Sequence, residues 1–258
     1  MVITTARQED PVNDLIPPEP VGAPVTDTLT DIVTDPAAVA RVHERLLVPN
    51  FPPRELVSVE ELLEDVARGS ATMRVVGEAS NPVAVAITAT FTGSPAVLLS
   101  YVAIRADQRG RGVGTTLLSG LLAGITADPG VSVVLAEVEH PAHHQAHPVH
   151  GDPAARLRFY ARLGGLILDV PYFQPPVDGT QDAVYGMLLL ALAPPERLVR
   201  GQRLLPEAGL AAALEEFMAG TDPERYPVGP VLEAARSPEG VRLLTVEELG
   251  RAPVSHRP

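Results

Sequence analysis

Residues 109–114 read Arg109-Gly110-Arg111-Gly112-Val113-Gly114, directly ahead of the apolar run TTLLSGLLAGITA. Glycine at that density lets a backbone approach a ligand closely, and arginine signals an anion. A P-loop needs Gly-Lys-Ser/Thr, and this chain contains no lysine. A dinucleotide fingerprint needs Gly-x-Gly-x-x-Gly after an early βαβ strand. Here Gly110, Gly112 and Gly114 are spaced Gly-x-Gly-x-Gly and follow three strand-like runs. What remains is a strand-to-helix turn whose N–H groups, with the helix dipole, make a pocket suited to a pyrophosphate. Arg105, Arg109 and Arg111 form a basic patch around it.

Two further stretches could do chemistry. In LAEVEHP, Glu137 and Glu139 are two residues apart and share one side of a regular strand. Such a carboxylate serves as a general base or an ammonium-binding group; an ordinary exposed strand end fits the same spacing. The segment HPAHHQAHPVHGDP carries His140, His143, His144, His147 and His150. Pro141 and Pro148 interrupt any helix that would align these rings, and no HExxH pattern is present, so no metal is expected.

These groups must be held by something, and the rest of the chain supplies it. Residues 1–27 are proline-rich with scattered acids and read as a loose arm. TLTDIVTD is a short strand candidate, and Asp35-Pro36 starts a helix through ARVHERLLV. Ser58 and Glu61 open a second helix that stops at Gly69. ATMRVVGE, NPVAVAITATF and AVLLSYVAI follow as three antiparallel strands, then the glycine turn and its helix, then the strand VSVVLAEVE. Asp152-Pro153 opens the helix DPAARLRFYARLGG, and LILDVPYFQ and AVYGMLLLAL close the set as strands. The expected order is β-α-α-β-β-β-α-β-α-β-β over residues 28–193, a mixed α/β sheet with helices on its faces. Residues 194–258 read as a small helical appendage with one convincing helix, PEAGLAAALEEFMAG.

Composition bounds the partners. All 20 basic residues are arginine and the formal net charge is −12, which excludes a general nucleic-acid binder. The absence of cysteine excludes disulfides, thiolate metal sites and a cysteine nucleophile. No run is long enough to span a bilayer, and MVITTARQEDPVNDLIPPEP lacks the basic start and apolar core of a secretory signal. A soluble cytoplasmic protein with no membrane partner is expected.

Arg-x-x-Gly-x-Gly after the strand YVAI, opening an apolar helix, resembles the acyl-CoA signature of the GNAT N-acetyltransferase superfamily. RLRFYARLGG, with Tyr160 four residues before Gly164, resembles the later GNAT helix. The resemblance covers residues 28–193 and implies a mixed, mostly antiparallel sheet with helices on both faces. It also implies acetyl-CoA or another acyl-CoA as co-substrate, with its pyrophosphate on residues 109–114 and its pantetheine arm along Val102, Ala103 and Ile104. Tyr160 is implied as the acid that protonates the departing sulfur. Family members differ in their base, so Glu137 and Glu139 both stand as candidates. The acceptor cleft is expected beside Phe51, the Tyr172-Phe173-Gln174 loop and the histidine loop, where His150 could contact substrate. The expected activity is acyl transfer to a primary amine of a small molecule by direct attack. The rival expectation is a non-catalytic acyl-CoA sensor. The appendage leaves a homodimer open.

Overall fold

The computed structural model describes residues 32–147, 151–177, 182–192 and 203–257; the arm at 1–27, His150 and the boundary at residue 193 lie outside these. Helix α1 (Pro36–Val42) starts on Asp35, whose carboxylate accepts from Ala38 N–H at 2.8 Å, with Pro36 where no donor is needed. It runs on into a π-helical turn, His43–Leu47, that buries Leu46 and Leu47. Helix α2 (Val59–Arg68) is capped by Ser58, which accepts from Glu61 N–H, and ends on Gly69 at φ +76°. Of the strand expected at TLTDIVTD, the described part is a single bridge from Ile32 to Arg74.

Strands β1 (Ala71–Val76), β2 (Ala84–Phe91) and β3 (Ser94–Ile104) pair antiparallel in sequence. Helix α3 (Val113–Thr126) then crosses to β4 (Val133–Glu139), which lies parallel to β3. Helix α4 (Pro153–Arg162) starts on Asp152, which accepts from Ala154 N–H at 2.9 Å. Strand β5 (Leu166–Leu168) is shorter than LILDVPYFQ suggests. Pro171 cannot donate to a ladder, and the chain leaves the sheet there to bury Tyr172 and Phe173 completely. Strand β6 (Met187–Leu192) fits between β4 and β5, antiparallel to both.

The C-terminal part is more than a helical appendage. It holds β7 (Arg203–Leu204), α5 (Leu210–Phe217), α6 (Val228–Ala235) and β8 (Val241–Leu244). Strand β8 pairs with β5 through Ile167↔Leu244 and Leu168↔Leu243, so the sheet order is β1-β2-β3-β4-β6-β5-β8-β7. Helix α6 hides behind Pro227, Gly229 and Pro230; proline in a first helical turn sacrifices no helical hydrogen bond.

Helices α3 and α4 cover one face, burying Leu117, Leu118, Leu121 and Leu157 against Ala86, Val134 and Leu190. On the other face, α1 and α2 close over Met73, Val85 and Ile87, while α5 and α6 close over Leu135, Leu189 and Ala191. The sheet is mixed and mostly antiparallel, as expected, with β3–β4 its one parallel pair among the described strands.

That pair is what positions the site. Ile87 faces Tyr101 and Thr88 faces Leu99, which leaves Ser100 as an extra residue, a β-bulge. The β3–β4 ladder ends at Leu99↔Ala136, one residue before it. Beyond that point β3 stays with β2 as far as Ile104, and β4 stays with β6 as far as Glu139. The two central strands therefore splay apart, and a wedge opens between them.

Candidate active site

The glycine turn stands beside the wedge. Gly110 and Gly112 have φ of +76° and +82°, a region that L side chains resist. Gly112 is the residue before α3, which has neither a capping side chain nor an acid in its first turn. The bond from Thr116 N–H to Gly112 O is the first that closes the helix, so the N–H groups ahead of it have no helical partner. Gly114 serves a different need: a Cβ there would lie 2.7 Å from Ile104 Cδ1, so a larger residue would have to displace the Ile104 side chain for α3 to start so near the end of β3. Arg109 contacts the side-chain oxygen of Asn50, and Arg111 is exposed. Arg105 is tied to Asp107 at 2.7 Å and to Asn81 at 3.1 Å, a surface ion pair.

Two hollows meet at the wedge. The first, about 400 Å³, lies on the α3/α4 face and is lined by Val102, Ile104, Arg109, Phe51, Arg156 and Tyr160 among others. Ala103, between Val102 and Ile104, points into the opposite core. The second hollow, about 370 Å³, lies on the other face between α2, the second half of β2, the middle of β3, the 174–177 segment and the end of α5. Ser100 and Glu137 line both.

Glu137 and Glu139 share a strand side but not an environment. Burial pushes the Glu137 carboxyl up to about 7; the Tyr172 hydroxyl, donating to Oε1 at 2.6 Å, restrains the rise, and Glu55 adds to it. Glu139 is held below the usual carboxylate range, chiefly by His144 and further by Arg156, each 3.3 Å away. His144 offers its other ring nitrogen to Tyr185 O at 2.8 Å. With both nitrogens facing acceptors the ring favours the imidazolium, and its pKa is raised mainly by Glu139.

Tyr160 lies at the bottom of α4 with its ring in the core and its edge on the first hollow. Burial raises its hydroxyl to about 12, and no protein group among the described residues bonds it. The glycines that follow have local work. Gly164, at φ +86°, ends the helix, and a Cβ on Gly165 would lie 2.9 Å from Tyr160 O.

The remaining candidates separate. Phe51 packs edge-on to Tyr101 at 5.1 Å between ring centres and reaches the first hollow; Gln174 reaches the second. Phe173 is core, stacked on Tyr185 and Tyr226. His140 accepts from Ala142 N–H, and its ring meets His143, which meets His256. His147 pairs with Gly151 through its backbone. Among the described residues no three histidines and carboxylates converge as a metal cluster. Ser100 and Asn50 carry no motif; an extra residue in an alternating strand is the sole local trace of the bulge that places Ser100.

No family model and no curated protein matches this sequence. Solved structures match its fold. A protein from Bacteroides thetaiotaomicron assigned to the GNAT family of acetyltransferases superposes with a TM-score of 0.55 at 22% identity, over 76% of this chain and 99% of its own. The ribosomal-protein-S18-alanine N-acetyltransferase of Escherichia coli gives 0.43 at 20% identity, over 65% of this chain and 92% of its own. The chain has the GNAT acetyltransferase fold.

Proposed function

We propose that this GNAT-fold chain is an N-acyltransferase that moves an acetyl or other short acyl group from acyl-CoA to the primary amine of a small molecule. One observation carries the reading: two hollows on opposite faces of the sheet meet where β3 and β4 part, and a carboxyl with a pKa near 7 stands at the junction. A reaction between two substrates held apart until their reactive atoms touch needs that geometry.

The residues of the first hollow fit a CoA thioester. The turn offers N–H donors, a helix N-terminus free of acids, and Arg109 and Arg111 for the pyrophosphate. The side of β3 that β4 abandons at Val102–Ile104 suits an extended amide-bearing arm, which would add to it as a strand does. The thioester carbon then lies near Ser100, and an amine in the second hollow faces it.

Glu137 takes a proton from the incoming ammonium, directly or through one water, and leaves the nitrogen lone pair free to attack. The new C–N bond forms as the C–S bond breaks. The sulfur leaves with the electron pair and receives its proton from Tyr160, whose high pKa keeps it protonated at working pH; the nitrogen gives up its second proton to solvent, from which Tyr160 regains its own. The amide keeps the acyl group, and no covalent acyl-enzyme is needed. Glu139, engaged by His144 and Arg156, holds the histidine loop against α4.

A bare acyl-CoA sensor would need the first hollow but neither the second nor a poised carboxyl between them. Calorimetric titration of the folded protein with acetyl-CoA, followed by thiol release with a panel of amines, tests the reading. Saturable micromolar binding, about −8 kcal/mol, with amine-dependent thiol release is expected. Binding without turnover selects the sensor, and absence of binding by any short acyl-CoA removes both.

A further inference from the structure

We propose that the acceptor is a small hydrophobic primary amine, one ammonium on an aromatic or branched alkyl body, and neither a polyamine nor an amino acid. This rests on the acyl-transfer reading above and concerns the second hollow. Its volume, about 370 Å³, falls in the range of small-molecule pockets. Leu62, Ile87, Ala89, Phe91, Leu98 and Phe217 give it an apolar lining, with the Phe91 and Phe217 rings edge to face at 6.4 Å.

The charged groups decide what else fits. Among the described residues, the carboxylates on the hollow are Glu61, Asp65, Glu137 and Glu216, and no arginine lines it. Glu216 is turned to the backbone N–H groups of Thr92 and Gly93, at 2.8 and 3.3 Å. Asp65 holds Arg68 at 2.7 Å and Ser70 at 3.0 Å, and Glu61 also has a partner. Glu137, which lines both hollows, is the carboxylate placed to meet an ammonium where acyl transfer occurs. A polyamine would need several uncommitted carboxylates along the hollow. An amino acid would bring a carboxylate among four acids, with no arginine among the described residues lining the hollow to receive it, a repulsive arrangement. A hydrophobic monoamine meets the Glu137 carboxyl at the wedge and an apolar wall beyond it.

The experiment compares 2-phenylethylamine, phenylalanine, spermidine and a short peptide with N-terminal alanine as acceptors for the full chain with saturating acetyl-CoA. Phenylalanine differs from 2-phenylethylamine by one carboxylate, so that pair isolates the charge argument. The expected kcat/KM for 2-phenylethylamine is at least tenfold above spermidine and the peptide, and at least a hundredfold above phenylalanine. Phe217→Ala should lower kcat/KM for 2-phenylethylamine about tenfold, and by a clearly larger factor than for isopropylamine, which has no ring to pack there; an unchanged acetyl-CoA titration checks the variant's fold. Preference for spermidine, the peptide or phenylalanine overturns the inference and leaves acyl transfer standing. Acetyl-CoA binding with no turnover of any amine overturns both, as does absence of acetyl-CoA binding.

Discussion

The hydroxyl of Tyr172 donates to Glu137 Oε1 at 2.6 Å, although the two residues lie on different segments and Tyr172 is fully buried. The bond favours the ionised carboxyl and so works against the burial that pushes Glu137 up. Tyr172→Phe keeps the ring and removes that brake. The acidic limb of the pH profile of kcat/KM, set near pH 7 by Glu137, should shift to higher pH. An unshifted limb would show that another group is the base.

Glu137→Gln and Glu139→Gln should part company. Removing a general base costs about 10²–10⁴-fold, so Glu137→Gln should lose at least a hundredfold in kcat. Glu139→Gln should stay within a few fold and instead lower the melting temperature, because it releases His144 and Arg156. Rate assays and thermal scans of both variants decide the matter.

Stability should move the opposite way for Glu137. Its folded pKa lies above the ordinary 4.5, so between pH 4.5 and about 7 the folded state binds more protons than the unfolded. This contribution to stability therefore falls as pH rises through that window. Glu137→Gln, which still accepts from Tyr172, should remove this share of the slope and stabilise the protein at pH 8 by roughly 3 kcal/mol. Urea melts at pH 5 and pH 8 measure it.

Two glycines of α3 should respond oppositely to alanine. Gly112→Ala strains a left-handed position, costs about 1–2 kcal/mol, and turns the N–H groups away from an anion. Acetyl-CoA affinity should fall about tenfold. Gly124 lies in the last turn of α3 with nothing near a Cβ, and Gly124→Ala should stabilise by about 0.5 kcal/mol without affecting affinity.

Tyr160→Phe tests the departing sulfur. The substitution should lower kcat about a hundredfold and leave the acetyl-CoA titration unchanged. Equal losses in affinity and rate would mark Tyr160 as packing alone.

How much of this was legible before the fold follows from sequence distance. The glycine turn and the caps at Asp35, Ser58 and Asp152 are local, since each signal and its consequence lie within one helical turn. Alternation correctly puts Glu137 and Glu139 on one strand side, yet their different chemistry comes from Tyr172, His144 and Arg156, which no local pattern ties to them. The splay depends on Ser100, one extra residue in an otherwise regular strand. Strand β8 is four residues long and is a strand because β5 and β7 pair with it.

The placement of Phe217 has a consequence for how such a chain can change over generations. Apart from Asn50 and Phe51, what would grip the nucleotide handle and deliver the acyl group falls between Leu99 and Tyr160, whereas part of the wall facing the other substrate comes from residues 174–177 and the end of α5. Donor and recipient are thus written in largely separate passages of the gene. Substitution in the later passage can retune what is modified while the earlier one keeps its grip, a division of labour that lets new substrates be tried without relearning the chemistry.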